Sequence, residues 1–184
     1  MISFVGLGNP GSIYAKTKHN AGFRVIDELC RRWKVSLNPG KGSYVFGEKN
    51  DSRAILMKPL TGMNKSGKAV KDFCINQGLL LSNVHVIVDD IDLPLGKLRI
   101  RPKGGDGCHR GMESIIYQNR DNNFPRIRFG IAVGSKLRPS EQYVLKDFKK
   151  SDQKLADEMI IRAADAAELI FENGLNKAMN KYNA

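Results

Sequence analysis

The stretch V-G-L-G-N-P-G-S-I-Y-A-K-T-K-H-N-A-G-F, from Val5 to Phe23, decides the fold. It places a glycine-rich turn directly after a short apolar strand. The following loop then holds Asn9, Tyr14, His19 and Asn20. Because α/β proteins gather functional side chains in loops at the carboxyl ends of strands, this order predicts an α/β fold with a functional site behind the first strand.

Three glycines of this stretch, Gly6, Gly8 and Gly11, match the dinucleotide-binding pattern G-x-G-x-x-G. A dinucleotide loop needs a helix that begins at the third glycine, but residues 12–18 have no apolar period. It also needs an acidic residue about 20 positions further on, where this chain has C-R-R-W at 30–33. The surroundings therefore argue against a nicotinamide-dependent oxidoreductase.

The composition is that of an ordinary globular protein. The chain has 184 residues, 41% hydrophobic and 27% charged, which favours a single domain over residues 1–184. No apolar run reaches the ~18 residues of a membrane span. The N-terminus M-I-S-F-V-G-L-G lacks the basic start of a signal peptide. We therefore expect a cytoplasmic protein that does not contact membranes.

Cysteines and histidines are too few and too scattered to suggest a metal site, since there are three of each, with no C-x-x-C pair and no two histidines four residues apart. Cys30 and Cys74 fall in helical apolar patterns typical of core positions. Cys108 lies in a glycine-rich turn, which favours exposure.

The charge is unevenly distributed along the chain. The formal net charge is +11, yet residues 151–184 carry four basic and six acidic side chains, so residues 1–150 carry a net +13. A strongly basic body favours a polyanionic partner, most often nucleic acid. The alternative is a basic protein whose charge serves solubility alone.

Apolar runs alternate with amphipathic stretches, which predicts one α/β domain with a mixed, mostly parallel sheet flanked by helices. The predicted strands are Ile2–Leu7, Tyr44–Gly47, Ala54–Met57, Val84–Val88, Lys97–Arg101 and Ile127–Val133. The predicted helices are Asn20–Trp33, Ser66–Gln77, Met112–Gln118 and Ser151–Glu172. A turn at residues 50–52 joins the second and third strands. The last helix is expected to face inward with Leu155, Met159, Ala163, Ala166 and Ile170.

Four cations alternate with apolar residues along the fifth predicted strand: Lys97, Arg99, Arg101 and Lys103. Residues two apart in a strand share a face, so these cations form one row. A solvated edge strand that carries lysines against aggregation is one interpretation. The two arginines favour phosphate contacts instead, because guanidinium matches phosphate geometry.

Four segments hold polar residues that pure structure does not require: residues 9–20, 58–67, 88–96 and 104–115. Three of them directly follow predicted strands, so we expect them to meet at one edge of the sheet. A histidine, carboxylates and amides in one place suit general-base hydrolysis, with water as the nucleophile. No G-x-S-x-G elbow marks a nucleophilic serine.

His19 is the candidate base in that set. On its own, a histidine at a helix start is as readily a capping or surface residue. The presence of Asn9, Asn64 and Asp89 favours chemistry, because a carboxylate can orient the imidazole and amides can position water.

These segments closely resemble those of bacterial-type peptidyl-tRNA hydrolases, in the family's order and over nearly the whole chain. The matching motifs are G-L-G-N-P-G at 6–11, T-K-H-N-A-G at 17–22, K-P-L-T-G-M-N-K-S-G at 58–67, D-D-I-D-L-P-L-G-K at 89–97, G-G-D-G-C-H-R-G at 104–111, R-I-R-F-G-I at 126–131 and G-L-N-K-A-M-N at 174–180. The resemblance implies hydrolysis of the ester between peptide and tRNA, which recycles tRNA from aborted translation. It implies no metal and no organic cofactor, and we expect a monomer.

The resemblance also implies roles for individual residues. His19 would be the general base and Asp89, rather than Asp90 or Asp92, the carboxylate that steadies it. Asn9 would contact the peptide and help to reject free aminoacyl-tRNA. Asn64, beside Met63, would hold the catalytic water or the substrate.

On the RNA side, the resemblance implies that Tyr14 lies against the end of the tRNA. Arg101 and Arg128 would clamp the 5′-phosphate. The chain departs from the family twice at expected substrate contacts: Arg110 stands where an asparagine is usual, and Gly62 where an aromatic residue is common. Some relatives of the family are splicing factors without hydrolytic activity, so an RNA-binding module is the alternative function. His19, Asp89 and Asn64 favour the enzyme.

Overall fold

The structure is a computed structural model that describes residues 1–50, 53–135 and 137–183. Its strands are β1 Ile2–Gly6, β2 Asn38–Pro39, β3 Tyr44–Glu48, β4 Ala54–Pro59, β5 Val84–Pro94, β6 Leu98–Arg101 and β7 Arg126–Ala132. Within the described residues they form one sheet in the order β2-β3-β4-β1-β5-β7-β6. The four strands β4, β1, β5 and β7 are parallel, and the other three are antiparallel to their neighbours. The predicted mixed, mostly parallel sheet is confirmed.

Helices cover both faces of this sheet, as predicted. They are α1 Ala21–Trp33, α2 Ser66–Gln77, α3 Arg110–Asn119, α4 Ser140–Val144, α5 Lys150–Asn173 and α6 Leu175–Tyr182. Apolar side chains of α1, α5 and α6 pack on one face, and those of α2 and α3 pack on the other. Among the described residues, none of these helices has the length and apolar character needed to cross a membrane.

The largest difference from the predicted elements lies in β5, which was expected to end at Val88 but continues to Pro94. The sequence D-D-I-D-L-P suggested a loop. Pairing with β7 instead continues through Asp90 and resumes, after an irregularity, where Pro94 meets Ala132. Asp89 and Asp90 are therefore buried inside a strand rather than placed on a loop behind it.

The prediction that Leu155 faces inward is wrong, since 41% of this residue is exposed. Ala156 takes the buried position in the first turns of α5, and Leu155 lies beside the turn at Gly96. The short elements β2, α4 and α6 were not predicted. Residues 51 and 52 of the predicted turn lie outside the described residues.

The start of α1 packs against the sheet through main-chain contact. A Cβ atom built on Gly22 would overlap the carbonyl oxygen of Ile87 and the backbone of Leu7, and one built on Gly6 would overlap the carbonyl of Gly22. Only glycine permits this approach. Because His19 lies three residues before Gly22, the same contact holds the histidine close to the carboxyl end of β1 and the middle of β5.

His85 is buried in β5 beside the ring of Phe4, and 7% of the residue is exposed. Burial lowers its pKa from 6.5 to about 4. Between pH 4 and pH 6.5, His85 binds a proton in the unfolded chain but not in the native state. A fall in pH therefore favours unfolding. As the pH falls from 7 to 4, we expect this group to remove up to about 3 kcal/mol of the free energy of unfolding.

Urea denaturation at pH 7.5, 6 and 5 measures this loss. His85→Leu removes the titrating group and serves as the comparison, since other acid-sensitive groups remain in both proteins. As the pH falls, the free energy of unfolding of the wild type should decrease more than that of His85→Leu. A difference independent of pH would assign the acid sensitivity to other residues.

Candidate active site

His19 and Asp89 meet just beyond the carboxyl end of β1, where Asp89 lies inside the longer strand β5. His19 lies in a single 3-10 turn, Lys18–Asn20, that leads into α1. Its Nδ1 is 3.0 Å from both carboxylate oxygens of Asp89. Asp89 is 3% exposed and His19 8% exposed, so the contact is almost fully removed from water.

A second histidine, His109, binds the same carboxylate. It precedes α3, and its Nε2 lies 3.0 Å from Asp89 Oδ1. The two imidazole rings are 4.7 Å apart. His109 was not predicted as a site residue, although its place between a glycine-rich loop and a helix start was a usable signal.

Hydrogen bonds determine which nitrogen of each ring carries a proton. The backbone N–H groups of Gly111 and Met112 donate to His109 Nδ1, at 3.1 and 3.4 Å, so its proton lies on Nε2 and is donated to Asp89. A carboxylate only accepts, so His19 must donate from Nδ1. The Nε2 of neutral His19 therefore has a free lone pair.

The pKa of Asp89 results from two opposed effects. Burial by itself would raise it, because a dry environment disfavours the charged form. The facing His19 and His109 outweigh burial and hold this pKa well below its usual range. Asp89 is therefore an anion at neutral pH, available to stabilise positive charge on the imidazole.

Asn9 is held in place by a network of amide hydrogen bonds. The Asn20 side chain accepts from the Asn9 backbone N–H and donates to its carbonyl, both at 2.9 Å. Asn9 Oδ1 accepts from the Met63 backbone N–H at 2.8 Å. Among the described residues Asn9 Nδ2 donates to none. Its two N–H groups therefore have no acceptor among these residues. The hydrogen bond between Met63 and Asn9 joins the first two predicted polar segments, residues 9–20 and 58–67.

The other predicted residues of these loops lie further from the histidines. Asn64 and Gly62 are exposed, and Asn64 lines a neighbouring depression rather than the cavity that contains His19. Met63 is buried beside Asn9. Tyr14 is half-buried and ends a short turn, where its carbonyl accepts from Thr17.

A cavity of about 760 Å³ is lined by both histidines. Four cations also line it, and we call them its basic wall: Arg101, Lys103, Arg126 and Arg128. Arg101 and Arg128, both predicted to bind phosphate, line it. Arg101 is exposed on the edge strand β6, whereas the Arg128 Nε lies 2.8 Å from Asp90 Oδ2. The basic row therefore follows an edge strand, and two of its members, Arg101 and Lys103, line the cavity. Contact of the row with phosphate stays a prediction.

Arg126 is a further cation in this wall and was not among the predicted site residues. It is 2% exposed and donates to the carbonyls of Gly105, Asn122 and Phe124. Burial, followed by the nearby charge of Arg128, lowers its pKa to about 10. The alternation R-I-R at 126–128 was the available signal, because it places two arginines on one face of a strand.

Arg110 stands at the rim shared by the cavity and the neighbouring depression. Its guanidinium lies 3.5 Å from Glu113 on α3 and 3.5 Å from Glu141 on α4. The side chain is 62% exposed. Two acidic neighbours partly satisfy its charge, so a substrate would compete with them for this arginine.

The three cysteines carry no disulfide. Cys74 is buried and Cys30 half-buried, as expected of core positions, while Cys108 is exposed on the cavity wall.

The arrangement suits proton transfer better than metal binding. One ligand atom each from His19, Asp89 and His109 lies within 4.8 Å of the others, which is close enough for a shared ion. However, backbone donors occupy the lone pair of His109 Nδ1, so Nε2 keeps its proton and cannot ligate a metal.

The chain also starts no α-helix at Gly11, where a dinucleotide would need one; α1 begins at Ala21.

Comparison with known proteins gives one consistent result. A protein-family model described as peptidyl-tRNA hydrolase matches residues 3–184. A peptidyl-tRNA hydrolase of Thermoanaerobacter sp. (strain X514) is 46% identical, with 100% of both chains covered. One of Geobacillus kaustophilus is 43% identical over the same full coverage.

The fold agrees with these sequence relatives. The crystal structure of peptidyl-tRNA hydrolase from Acinetobacter baumannii is similar with a TM-score of 0.91 and 34% identity. The match covers 100% of this chain and 95% of that one. Sequence and fold thus point to the same relatives.

Proposed function

This chain belongs to the peptidyl-tRNA hydrolase family, and we propose that it hydrolyses the ester between peptide and tRNA in peptidyl-tRNA, with His19 as general base. The observation that carries the proposal is the buried His19–Asp89 contact in the cavity that includes the basic wall. The products are a free peptide and a tRNA that can be charged again after aborted translation.

The proposed reaction uses the free lone pair of His19 Nε2. This nitrogen takes a proton from a water molecule, whose oxygen attacks the ester carbonyl carbon. The tetrahedral intermediate then collapses, and the imidazolium gives its proton to the departing 3′ oxygen of the ribose. Asp89 stabilises the imidazolium through Nδ1–H, so charge is balanced at each step.

Side chains around the base would orient the two halves of the substrate. Asn9 presents its amide N–H groups toward the peptide carbonyl, since its oxygen is already bound by Met63. Asn64 borders the neighbouring depression and would hold the catalytic water or the substrate. Gly62 would border the peptide approach, and Tyr14 would lie toward the tRNA end. Amide donors near a developing oxyanion lower the barrier to attack.

The basic wall supports an RNA-binding role on the other side of the cavity. Arg101 and Arg128 would bind the 5′-phosphate, Arg126 would add to the local positive potential, and Arg110 would contact the 3′ end of the tRNA. We further propose that the chain acts in the cytoplasm as a single-domain monomer. It needs no metal or organic cofactor, because its own residues supply the base and the charge stabilisation.

Release of peptide from N-acetyl-aminoacyl-tRNA tests the proposed function. We expect turnover that persists in the presence of a chelator, and much slower release from free aminoacyl-tRNA. Tight binding of tRNA without any release of peptide would instead indicate an RNA-binding module.

Salt dependence tests the binding of phosphate by the basic wall. Replacing Arg101 and Arg128 together with alanine should make the slope of log affinity against log salt less steep, by about 0.7–0.9 for each phosphate that the protein no longer neutralises. Arg101 should account for more of the change, because Arg128 must first exchange Asp90 for phosphate.

Lys154→Ala is the control, since Lys154 is an exposed cation on α5, in the net acidic segment 151–184. It should leave the slope unchanged. The double variant should also lose its preference for tRNA with a 5′-monophosphate. If the wild-type protein treats tRNAs with and without that phosphate alike, these arginines do not clamp it.

A further inference from the structure

Lys18, the residue directly before His19, is a buried lysine. It is 6% exposed, although lysine is almost never fully buried unless its charge is paired or otherwise satisfied. No carboxylate is within ion-pair distance of its ammonium among the described residues.

Main-chain oxygens and aromatic rings take the place of a carboxylate. Lys18 Nζ donates to the carbonyls of Asp147 at 2.8 Å and Lys146 at 3.2 Å. It also lies 4.6 Å from the ring centre of Tyr143 and 5.3 Å from that of Phe148. Cations are attracted to the faces of such rings, most strongly where water is excluded.

The main chain reinforces the same connection. The Lys18 backbone N–H donates to the Lys146 carbonyl at 3.1 Å, and Thr17 forms an antiparallel bridge with Asp147. The turn that carries His19 is therefore attached to residues 146–147 by backbone and side chain together.

The attached segment continues directly from α4, which forms part of the cavity wall. Val144 and Glu141 of α4 line the same cavity as His19. Tyr143 ties this segment to the sheet, since its hydroxyl donates to the Ile131 carbonyl at 2.7 Å and accepts from the Val133 N–H at 3.0 Å. The Lys18 ammonium thus lies between the turn that carries His19 and the segment that follows the α4 wall.

We propose that Lys18 is a positioning residue, whose ammonium holds the turn of His19 in register with the cavity wall and so keeps the imidazole aligned with Asp89. The proposal rests on the proposed function. Lys18 need not touch the substrate. A displacement of about 1 Å at a reacting group can cost about 10²-fold in rate, so loss of this anchor should act on turnover.

The test compares Lys18→Met, which keeps the length and apolar part of the side chain, with Lys18→Arg and with Lys16→Met. Lys16 is exposed on the same loop and loses the same charge. We expect Lys18→Met to lower kcat about 10- to 100-fold with little change in KM. Lys18→Arg keeps charge and donors and should fall between Lys18→Met and the wild type. Lys16→Met should retain the wild-type kcat.

Proton NMR of the His19 Nδ1–H, which is hydrogen-bonded to Asp89 and buried, gives a readout that does not depend on hydrolysis. This resonance should shift or broaden in Lys18→Met and stay in place in Lys16→Met. If the wild-type protein releases no peptide, the proposed function fails, whereas the NMR comparison still tests the positioning of His19.

Two results would overturn the proposal. One is a folded Lys18→Met variant with wild-type kcat and an unchanged His19 resonance. The other is a Lys18→Met variant that does not fold, beside a folded Lys18→Arg variant with a displaced His19 resonance and wild-type kcat, because the position of His19 would then not limit turnover.

Discussion

Replacement of His19 by alanine is expected to lower kcat by about 10²–10⁴-fold, the usual contribution of general-base catalysis. The affinity for tRNA should change little, because the cations of the cavity wall remain. Single-turnover hydrolysis of N-acetyl-aminoacyl-tRNA, measured beside equilibrium binding of uncharged tRNA, separates the two effects.

His85→Leu is a suitable control for this experiment, since it removes a histidine that does not line the cavity. It should keep the wild-type kcat under neutral conditions. A His19→Ala protein that hydrolyses substrate at the wild-type rate would show that another group activates the water, and His109 would then be the next candidate.

Asp89→Asn should lower kcat by about 10⁴-fold, at the upper end of the range expected for His19→Ala, as when the carboxylate of a Ser-His-Asp triad becomes an amide. The structure gives the reason. His109 must donate from Nε2, because backbone N–H groups occupy its Nδ1. The new amide would therefore turn its oxygen to His109 and its NH₂ to His19. Nδ1 of His19 would have to accept, and the proton would move to Nε2, where the lone pair is needed.

Asp92→Asn is the matched comparison for this variant, because Asp92 lies on the same strand but is exposed toward Arg138. It should alter kcat by no more than a few-fold. If Asp89→Asn retains full activity and Asp92→Asn does not, the assignment of the supporting carboxylate is wrong. The pH profile adds a second check, since the loss of Asp89 also removes the anion that stabilises protonated His19.

The sheet was predictable because its central strands are continuous apolar runs between clear turn signals. The carboxyl half of β5 was not, because D-D-I-D-L-P contains residues that strands rarely hold. Its strand form depends on pairing with β7, a contact distant in sequence. The prediction for Leu155 was wrong for a related reason. Helical periodicity defines an apolar stripe along α5 but does not show where the sheet that covers this stripe ends.

The site was predictable where one residue type implies one chemistry, as with His19 and a nearby carboxylate. His109 and Arg126 were missed because their importance comes from what they face. The loop before α3 brings His109 to Asp89. Three carbonyl groups outside β7 hold the guanidinium of Arg126. Single-sequence patterns do not contain such long-range contacts.

The main-chain contact between Gly6 and Gly22 constrains how this protein can evolve. A larger residue at one position usually becomes tolerable when a neighbouring side chain shrinks, but here the obstacles are main-chain atoms. Position 6 faces the carbonyl of Gly22, and position 22 faces the carbonyl of Ile87 and the backbone of Leu7. No second substitution can create room, so neither position has a compensated path through sequence space. A mutational scan should find both intolerant in any background, and a library built to improve the enzyme gains nothing from varying them.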